Sequence, residues 1–167
     1  AEYKMTLVNE SLPFEFPDFE SLGEGKGYDS IPYHFKSNVT RDFEVRPYYK
    51  LKNLNAELKN GNIVATFNIE KMTNTQKEAP NIVKTRIWLS TTSLVNSGIT
   101  CTRSSDVEYL DDTTLQVYIP LSEYRKKEHF IDNYRTYAFY RVAIELEGMN
   151  KYFLFSPIKK IENLPVD

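Results

Sequence analysis

The alternation of apolar and polar residues is clearest between residues 53 and 70, on both sides of Asn60-Gly61. Alternation with a period of two is typical of a β-strand with one buried face. Asn-Gly suits the two central positions of a type I′ turn, because both positions need positive φ. The pattern therefore predicts a β-hairpin whose buried faces hold Leu54, Ala56 and Leu58 before the turn and Ile63, Ala65, Phe67 and Ile69 after it.

Three later segments repeat this alternation. Residues 83–89 predict a single strand, residues 107–119 a hairpin that turns at Asp111-Asp112, and residues 140–156 another hairpin. Together with the first hairpin they give about seven strands, with turns spaced as in an immunoglobulin-like or fibronectin III-like sandwich. The expected fold class is therefore all-β. The inward face of the first of these segments is expected to hold Val83, Thr85, Ile87 and Leu89.

The first 47 residues have a different texture and predict a small β module. A strand is indicated near Met5, and residues 31–35 and 39–45 indicate a hairpin. Three strands offer only a small apolar face, so this module either packs on the larger sandwich or belongs to a domain that starts upstream. The expected organisation is a β module over 1–47, followed by a fibronectin III-like sandwich over 48–167.

Composition excludes several classes of function. The formal charge is −2, from 21 Lys plus Arg against 23 Asp plus Glu, so the chain lacks the basic field that a nucleic-acid partner demands. No apolar run reaches the length of a membrane span, and the first residues lack the pattern of a signal peptide. Cys101 is the only cysteine, which excludes an internal disulfide and a cysteine-based metal site.

Motifs that carry chemistry are absent from the sequence. It has no Gly-x-Ser-x-Gly elbow, no His-Glu-x-x-His helix and no phosphate loop that ends in Gly-Lys-Ser/Thr. We therefore predict no catalytic residue, no metal site and no cofactor. The one dense acidic cluster, at Asp106, Glu108, Asp111 and Asp112, is compatible with calcium, but an aspartate-stabilised hairpin turn explains it better.

Aromatic side chains are the candidate binding groups. If Ile87 and Leu89 face the core, Trp88 lies on the opposite face of the strand with Arg86 beside it. Sugars bind by laying their apolar C–H faces on such rings while neighbouring polar groups bond the hydroxyls. The alternative is that a loop or a cross-strand neighbour covers Trp88. The carbohydrate-binding candidates are Trp88, Arg86, Tyr118, Tyr109 and Tyr124, and Tyr137 and Phe139 are candidates for a protein contact.

The segment 30–70 resembles a family of uncharacterised Bacteroidetes surface lipoproteins that is associated with starch-utilisation-type (Sus) glycan uptake loci. In that family a transthyretin-like or carboxypeptidase-regulatory-like module precedes a fibronectin-like sandwich. The join carries an acidic-hydrophobic step and a Pro-Tyr pair. The matching residues here are Asp42, Phe43, Glu44, Val45, Pro47 and Tyr48.

The resemblance implies a non-enzymatic accessory lipoprotein at the outer-membrane surface. Its implied partners are a TonB-dependent transporter with its substrate-binding lipoprotein, and a glycan. It also implies that this chain is a fragment of a longer precursor that is anchored through an N-terminal lipid. The alternatives are a stand-alone carbohydrate-binding or adhesion module and, third, a glycan-processing enzyme. Exposed aromatic rings beside hydrogen-bonding groups favour sugar binding, whereas a flat apolar patch favours docking.

Overall fold

The computed structural model describes residues 2–5, 13–18, 31–34, 42–72, 78–96, 98, 102–104, 107–125, 135–149 and 152–165. Within these residues most of the chain is β-strand and there is almost no helix, which confirms the all-β fold. The elements are β1 Glu2–Met5, β2 Phe14–Glu15, β3 Ile31–His34, β4 Arg46–Pro47, β5 Tyr49–Lys59, β6 Asn62–Lys71, β7 Ile82–Ser90, β8 Thr102–Ser104, β9 Val107–Tyr109, β10 Thr114–Pro120, α1 Leu121–Arg125, β11 Ala138–Leu146, β12 Phe153–Phe155 and β13 Lys159–Ile161.

Two antiparallel sheets form the sandwich. Sheet I has the strand order β5-β6-β10-β9, and sheet II has the order β12-β11-β7-β8, with β13 also paired to β11. If β12 and β13 are counted as one interrupted strand, sheet I has the A-B-E-D order of an immunoglobulin-type domain. Sheet II has the C-F-G strands of the same domain, with β8 as an extra short strand beside C.

The predicted first hairpin is confirmed. β5 and β6 pair antiparallel, and Asn60 and Gly61 between them have φ values of 50° and 74°, as a type I′ turn requires. The hairpin at Asp111-Asp112 is also confirmed, since β9 and β10 pair antiparallel. The reversal after β11 contains Gly148 with a φ of 77° and leads into β12.

The main core lies between the two sheets. Sheet I contributes Ile63, Ala65, Phe67, Leu115, Val117 and Ile119 to it, and sheet II contributes Ile87, Leu89, Tyr140, Val142, Ile144 and Leu146. These side chains are the inward positions of alternating strands, and burial of such apolar area is the dominant stabilising term in folding. The strand alternation in the sequence therefore located most of the core.

Two inward assignments were wrong. Leu58, near the end of β5, is 36% exposed. Val83 is 56% exposed, although Thr85, Ile87 and Leu89 on the same strand are buried as expected. The cause is a shift in the pairing of β7 with β11, where Leu146 pairs with Ile82 while the preceding Glu145 pairs with Lys84. Val83 is thus the extra residue of a β-bulge, which breaks the alternation at that point.

The hairpin predicted over residues 31–45 is described only in part. β3 pairs with β1, and residues 42–45 form no strand, so the second predicted strand does not reach residue 45. β2 lies in a stretch for which no strand was predicted and pairs with β4. The turn expected before residue 41, like Cys101, lies outside the described residues.

The segment around β2 packs on the sandwich. Phe14 is partly buried against the main core, and the amide of Tyr48 donates to the carbonyl of Pro13 at 3.5 Å. This contact concerns the segment around β2 alone, and both the packing of the whole small module and the boundary at 47/48 stay predictions. No helix in the described part of the chain has both the length and the hydropathy of a membrane span.

Candidate functional site

A groove with a volume of about 390 Å³ lies at one end of the sandwich. It is formed where β5 and β7 begin, where β6 ends, and where the β9–β10 turn crosses the end of sheet I. We call it the tyrosine groove. Its lining residues are Tyr49, Ile69, Lys71, Asn81, Ile82, Tyr109, Asp112 and Thr113.

Tyr109 supplies the exposed aromatic surface of the tyrosine groove. It is the last residue of β9, and its side chain is 54% exposed. Ile69 and Ile82 supply the apolar part of the lining, and both pack against the main core. Because the core holds these two residues in place, the apolar part of the groove is preformed.

The β9–β10 turn is held by Asp111. Its Oδ1 atom accepts hydrogen bonds from the Thr113 amide at 2.8 Å, the Thr113 hydroxyl at 2.9 Å and the Thr114 amide at 2.8 Å. Chiefly because the Thr113 amide donates to the charged carboxylate, the pKa of Asp111 falls to about 2. In turn, the carbonyl of Thr113 accepts from the Ile69 amide at 2.8 Å. The turn therefore holds Asp112 and Thr113 in fixed positions on the rim.

Lys71, Asn81 and Asp112 line the tyrosine groove and differ in their hydrogen-bonding capacity. The ammonium of Lys71 lies 3.3 Å from Glu78, an exposed pair of the kind that contributes little to stability. The side-chain amide of Asn81 donates to Glu147 at 3.0 Å, which leaves the Oδ1 atom of Asn81 as an acceptor. The carboxylate of Asp112 makes no ion pair with any described residue.

Tyr49 forms the buried wall of the groove. Its side chain is only 8% exposed, and its hydroxyl donates to the Pro80 carbonyl at 2.9 Å. Burial raises the pKa of the Tyr49 hydroxyl, so it stays protonated and keeps this hydrogen bond. The bond ties the start of β5 to the segment that leads into β7.

Tyr118 is also accessible but lies elsewhere, on the outer face of sheet I. Its side chain is 40% exposed and sits opposite Val64 on β6. On the same face, the amide of Gln116 donates to Thr66 at 3.2 Å and the amide of Asn68 donates to Thr114 at 2.8 Å. This face is polar around Tyr118, and Tyr118 does not line the tyrosine groove.

The accessible platform expected at Trp88 is not present, because Trp88 is fully buried. Its side chain does lie on the face of β7 away from the main core, as the alternation predicted. There it packs edge-on against Phe153 and Phe155 of β12, with ring centroids 5.7 and 5.6 Å away. The rings meet above Ala143 of β11, whose small side chain leaves room for them. We call this packed group the outer cluster.

Arg86 and Arg141 lie beside the outer cluster. The guanidinium of Arg86 lies 5.1 Å from the centre of the Phe153 ring, and that of Arg141 lies 4.1 Å from the centre of the Phe155 ring. Such cation–π contacts stabilise the packed rings. The Arg86 candidate is therefore a neighbour of buried aromatic rings and lies away from the tyrosine groove.

Tyr124 is not accessible either. It lies on α1, a helix that the sequence analysis did not predict, and its side chain is completely buried in the main core. Its hydroxyl is within hydrogen-bonding distance of the Ser90 and Tyr137 carbonyls, at 3.4 and 3.3 Å. A polar stretch follows in the sequence, which masked the apolar role of this residue.

The two candidates for a protein contact lie together and are half-buried. Tyr137 and Phe139 meet edge-on with their ring centroids 5.9 Å apart. Lys160 and Arg135 lie over the Tyr137 ring, at 4.7 and 5.9 Å from its centre. Because Phe139 also packs against the outer cluster, the pair offers only a small apolar surface to a partner.

Of the predicted carbohydrate-binding residues, only Tyr109 lines the groove. Asp112 was named in the acidic cluster, and the bonds made by Asp111 support the turn explanation of that cluster over a calcium site. Lys71, Asn81 and Ile82 were missed, because they lie at strand ends that are distant in sequence and meet only when the sandwich forms. No group of three or more His, Cys, Asp or Glu side chains among the described residues is arranged to hold a metal ion.

Comparison with known families gives one match within the sequence. A family model with the description "Domain of unknown function (DUF3823_C)" matches residues 49–160, which include every residue of the tyrosine groove and the two sheets except for the last residue of β13. No curated protein is significantly similar to the chain.

Solved structures share the fold. In the alignment with a DUF3823 family protein from Bacteroides ovatus, 96% of this chain and 73% of that protein's chain are covered. The TM-score is 0.60 and the sequence identity is 18%. The alignment with a DUF3823 family protein from Parabacteroides merdae covers 96% of this chain and 70% of that protein's chain, with a TM-score of 0.62 at 16% identity. A third structure is described as a candidate carbohydrate-binding protein from Bacteroides uniformis. Its alignment covers 73% of this chain and 60% of that protein's chain, with a TM-score of 0.52 at 16% identity. At these identities the likeness shows the fold alone.

Proposed function

The chain belongs to the DUF3823_C family, and we propose that its function is non-enzymatic carbohydrate binding through the tyrosine groove. The observation that carries the proposal is the position of Tyr109, an exposed aromatic residue in a concave site with polar groups on its rim. The description of the Bacteroides uniformis neighbour as a candidate carbohydrate-binding protein lends further support.

The composition of the groove suits a sugar. A pyranose ring has apolar C–H faces that pack on an aromatic ring, and a rim of hydroxyls that need hydrogen-bond partners. In the groove, the Tyr109 ring and the side chains of Ile69 and Ile82 can pack on the C–H faces of the sugar. Asn81 and Asp112 can form hydrogen bonds with its hydroxyls. Its volume is at the small end of the range for ligand sites, which suits a short stretch of a glycan.

The described lining residues favour binding over hydrolysis. Glycoside hydrolysis generally uses two carboxyl groups on either side of the scissile bond. Asp112 is the one carboxylate among the lining residues that the structure describes. We therefore assign the groove to recognition of the glycan.

The direct test is retardation of the protein in gels that contain starch, galactan, arabinan, mannan or xylan. We expect at least one polysaccharide to retard the wild-type protein. Tyr109→Ala should weaken that affinity by about tenfold or more, because loss of one aromatic platform removes on the order of 1.5 kcal/mol.

Tyr118→Ala is the matched control for this test. It removes an exposed tyrosine of the same sandwich that does not line the groove, so the affinity should stay within about twofold of wild type. Retardation by none of these polysaccharides, or an affinity that survives Tyr109→Ala, contradicts the proposal.

For the cellular setting we propose an outer-membrane surface lipoprotein that works beside a TonB-dependent transporter and its substrate-binding lipoprotein partner. The support is the resemblance over residues 30–70. Purification of a tagged precursor from the native envelope tests this setting. Recovery of the transporter and its partner supports it, and recovery of the protein alone counts against it without affecting the sugar-binding proposal.

A further inference from the structure

The charges around the tyrosine groove are unbalanced. The lining contains one cation, Lys71, and that cation already lies 3.3 Å from Glu78. The carboxylate of Asp112 is on the rim without an ion-pair partner among the described residues, and Glu147 is bonded to the lining residue Asn81 at 3.0 Å. Among the described residues, the groove and its immediate surroundings therefore carry a net negative charge.

The hydrogen-bonding groups show the same bias. Asn81 uses its amide nitrogen on Glu147, so the atom that remains for a ligand is the acceptor Oδ1. The carboxylate of Asp112 is an acceptor only. A ligand that satisfies both residues must bring donors, and neutral sugar hydroxyls are donors, whereas the carboxylates and sulfates of acidic sugars are not.

We propose that the tyrosine groove selects neutral, hydroxyl-rich glycan segments and rejects acidic ones, with Asp112 as the main specificity determinant. This inference rests on the carbohydrate-binding function proposed above. Asp112 is held in place because the turn that carries it is fixed by the three hydrogen bonds to Asp111. A carboxylate or sulfate in the groove meets the Asp112 charge within a few ångströms, where salt screens it only partly.

The size of the discrimination follows from the distance. One pair of like charges at about 4 Å in a partly exposed groove costs enough to lower the affinity roughly tenfold. Because the repulsion is electrostatic, the difference between neutral and acidic ligands should shrink at about 1 M salt, where the screening length is only about 3 Å.

The test compares a neutral polysaccharide that retards the wild-type protein with its partly carboxymethylated form. We expect the carboxymethylated form to bind about tenfold more weakly at low salt. Asp112→Lys should recover most of that loss. Glu57→Lys makes the same change of net charge at an exposed position of β5 outside the groove, and it should recover little.

The outcomes separate this inference from the function on which it rests. If the wild-type protein binds both forms equally through Tyr109, the inference is overturned and the carbohydrate-binding function stands. Equal recovery by Asp112→Lys and Glu57→Lys also overturns it, because the effect then belongs to the whole protein's charge. If no neutral polysaccharide binds at all, the proposed function fails, and the selectivity fails with it.

Discussion

Thr85 brings a hydroxyl into the main core without a partner. Its side chain is 1% exposed, and its Oγ1 atom has no hydrogen bond to any described residue. A buried hydroxyl that loses water without gaining a partner lowers stability. We expect Thr85→Val, which keeps the side-chain shape, to raise the free energy of unfolding by about 1 kcal/mol in urea denaturation.

Thr66→Val is the control for that prediction. The Thr66 hydroxyl lies on the outer face of sheet I and accepts from Gln116 at 3.2 Å, so its removal should bring no gain. A lower urea midpoint for Thr85→Val than for the wild type would contradict the claim that the buried Thr85 hydroxyl has no hydrogen-bond partner among the described residues.

Trp88 should matter for stability and not for sugar binding. It is the only tryptophan, and its ring is buried against Phe153 and Phe155. Trp88→Ala should lower the free energy of unfolding by roughly 3 to 5 kcal/mol, as truncation of a large core aromatic does. Leu94→Ala removes an apolar side chain that is 63% exposed and should cost less than about 0.5 kcal/mol. A loss of stability for Trp88→Ala as small as that for Leu94→Ala would contradict the burial of Trp88 in the outer cluster.

Trp88 also shows what alternation along a strand leaves undetermined. The pattern in residues 83–89 fixes the side of the sheet on which Trp88 lies, because side chains on a strand alternate. It does not say what covers that side. The cover comes from β12, more than 60 residues later in the chain, and depends on the small side chain of Ala143 between them.

At the scale of elements, the β5–β6 hairpin depends on the backbone of its turn. Gly61 has a φ of 74°, and a Cβ atom added there meets no atom within 4 Å. Gly61→Ala should therefore destabilise the protein by about 1 kcal/mol through backbone strain alone, measured as a shift in the urea midpoint. Gly98 has no positive φ, and its nearest neighbour is a side-chain atom at 3.5 Å, so Gly98→Ala should have no such cost. Equal losses for the two variants would count against the strain explanation.

The β9–β10 turn should respond to pH through Asp111. The pKa of Asp111 is about 2 in the folded protein, below its reference value of 3.8, so ionisation favours the folded state. This contribution is complete above about pH 5 and is lost as the pH falls through about 2. Asp111→Asn keeps a side-chain oxygen but cannot ionise, so its difference in stability from the wild type should shrink over this range. A carboxyl NMR titration with a midpoint near 3.8 contradicts the turn geometry.

The elements also show where local sequence signals end. Asn60-Gly61 and Asp111-Asp112 predicted their hairpins because a two-residue or aspartate-stabilised turn is specified by adjacent residues. The pairing of β1 with β3 is not specified by adjacent residues, since it joins segments that are separated by a long connection. The bulge at Val83 likewise depends on the register with β11, which β7 alone does not contain.

At the scale of the whole molecule, the tyrosine groove exists because the sandwich brings strand ends together. The ends of β6 and β9 and the beginnings of β5 and β7 meet at one edge of the two sheets. The sequence indicated Tyr109 as an aromatic candidate. It did not indicate that Tyr109 and Asn81 share a site, because no local pattern reports the distance between residues on different sheets.

The outer faces of the two sheets differ from the groove in a way that makes its location testable. The outer face of sheet I is polar around Tyr118, and the outer face of sheet II is occupied by the outer cluster. A glycan that binds in the tyrosine groove should therefore contact one end of the sandwich and neither outer face.

The location of sugar binding in the tyrosine groove is tested most directly by an NMR titration. The isotope-labelled protein is titrated with an oligosaccharide derived from whichever polysaccharide retards it. We expect the amide shifts that change to belong to Ile69, Lys71, Asn81, Tyr109, Asp112 and Thr113 and their neighbours. Shifts centred instead on Tyr118 and Gln116, or on the strands around Trp88, would contradict the assignment of sugar binding to the tyrosine groove.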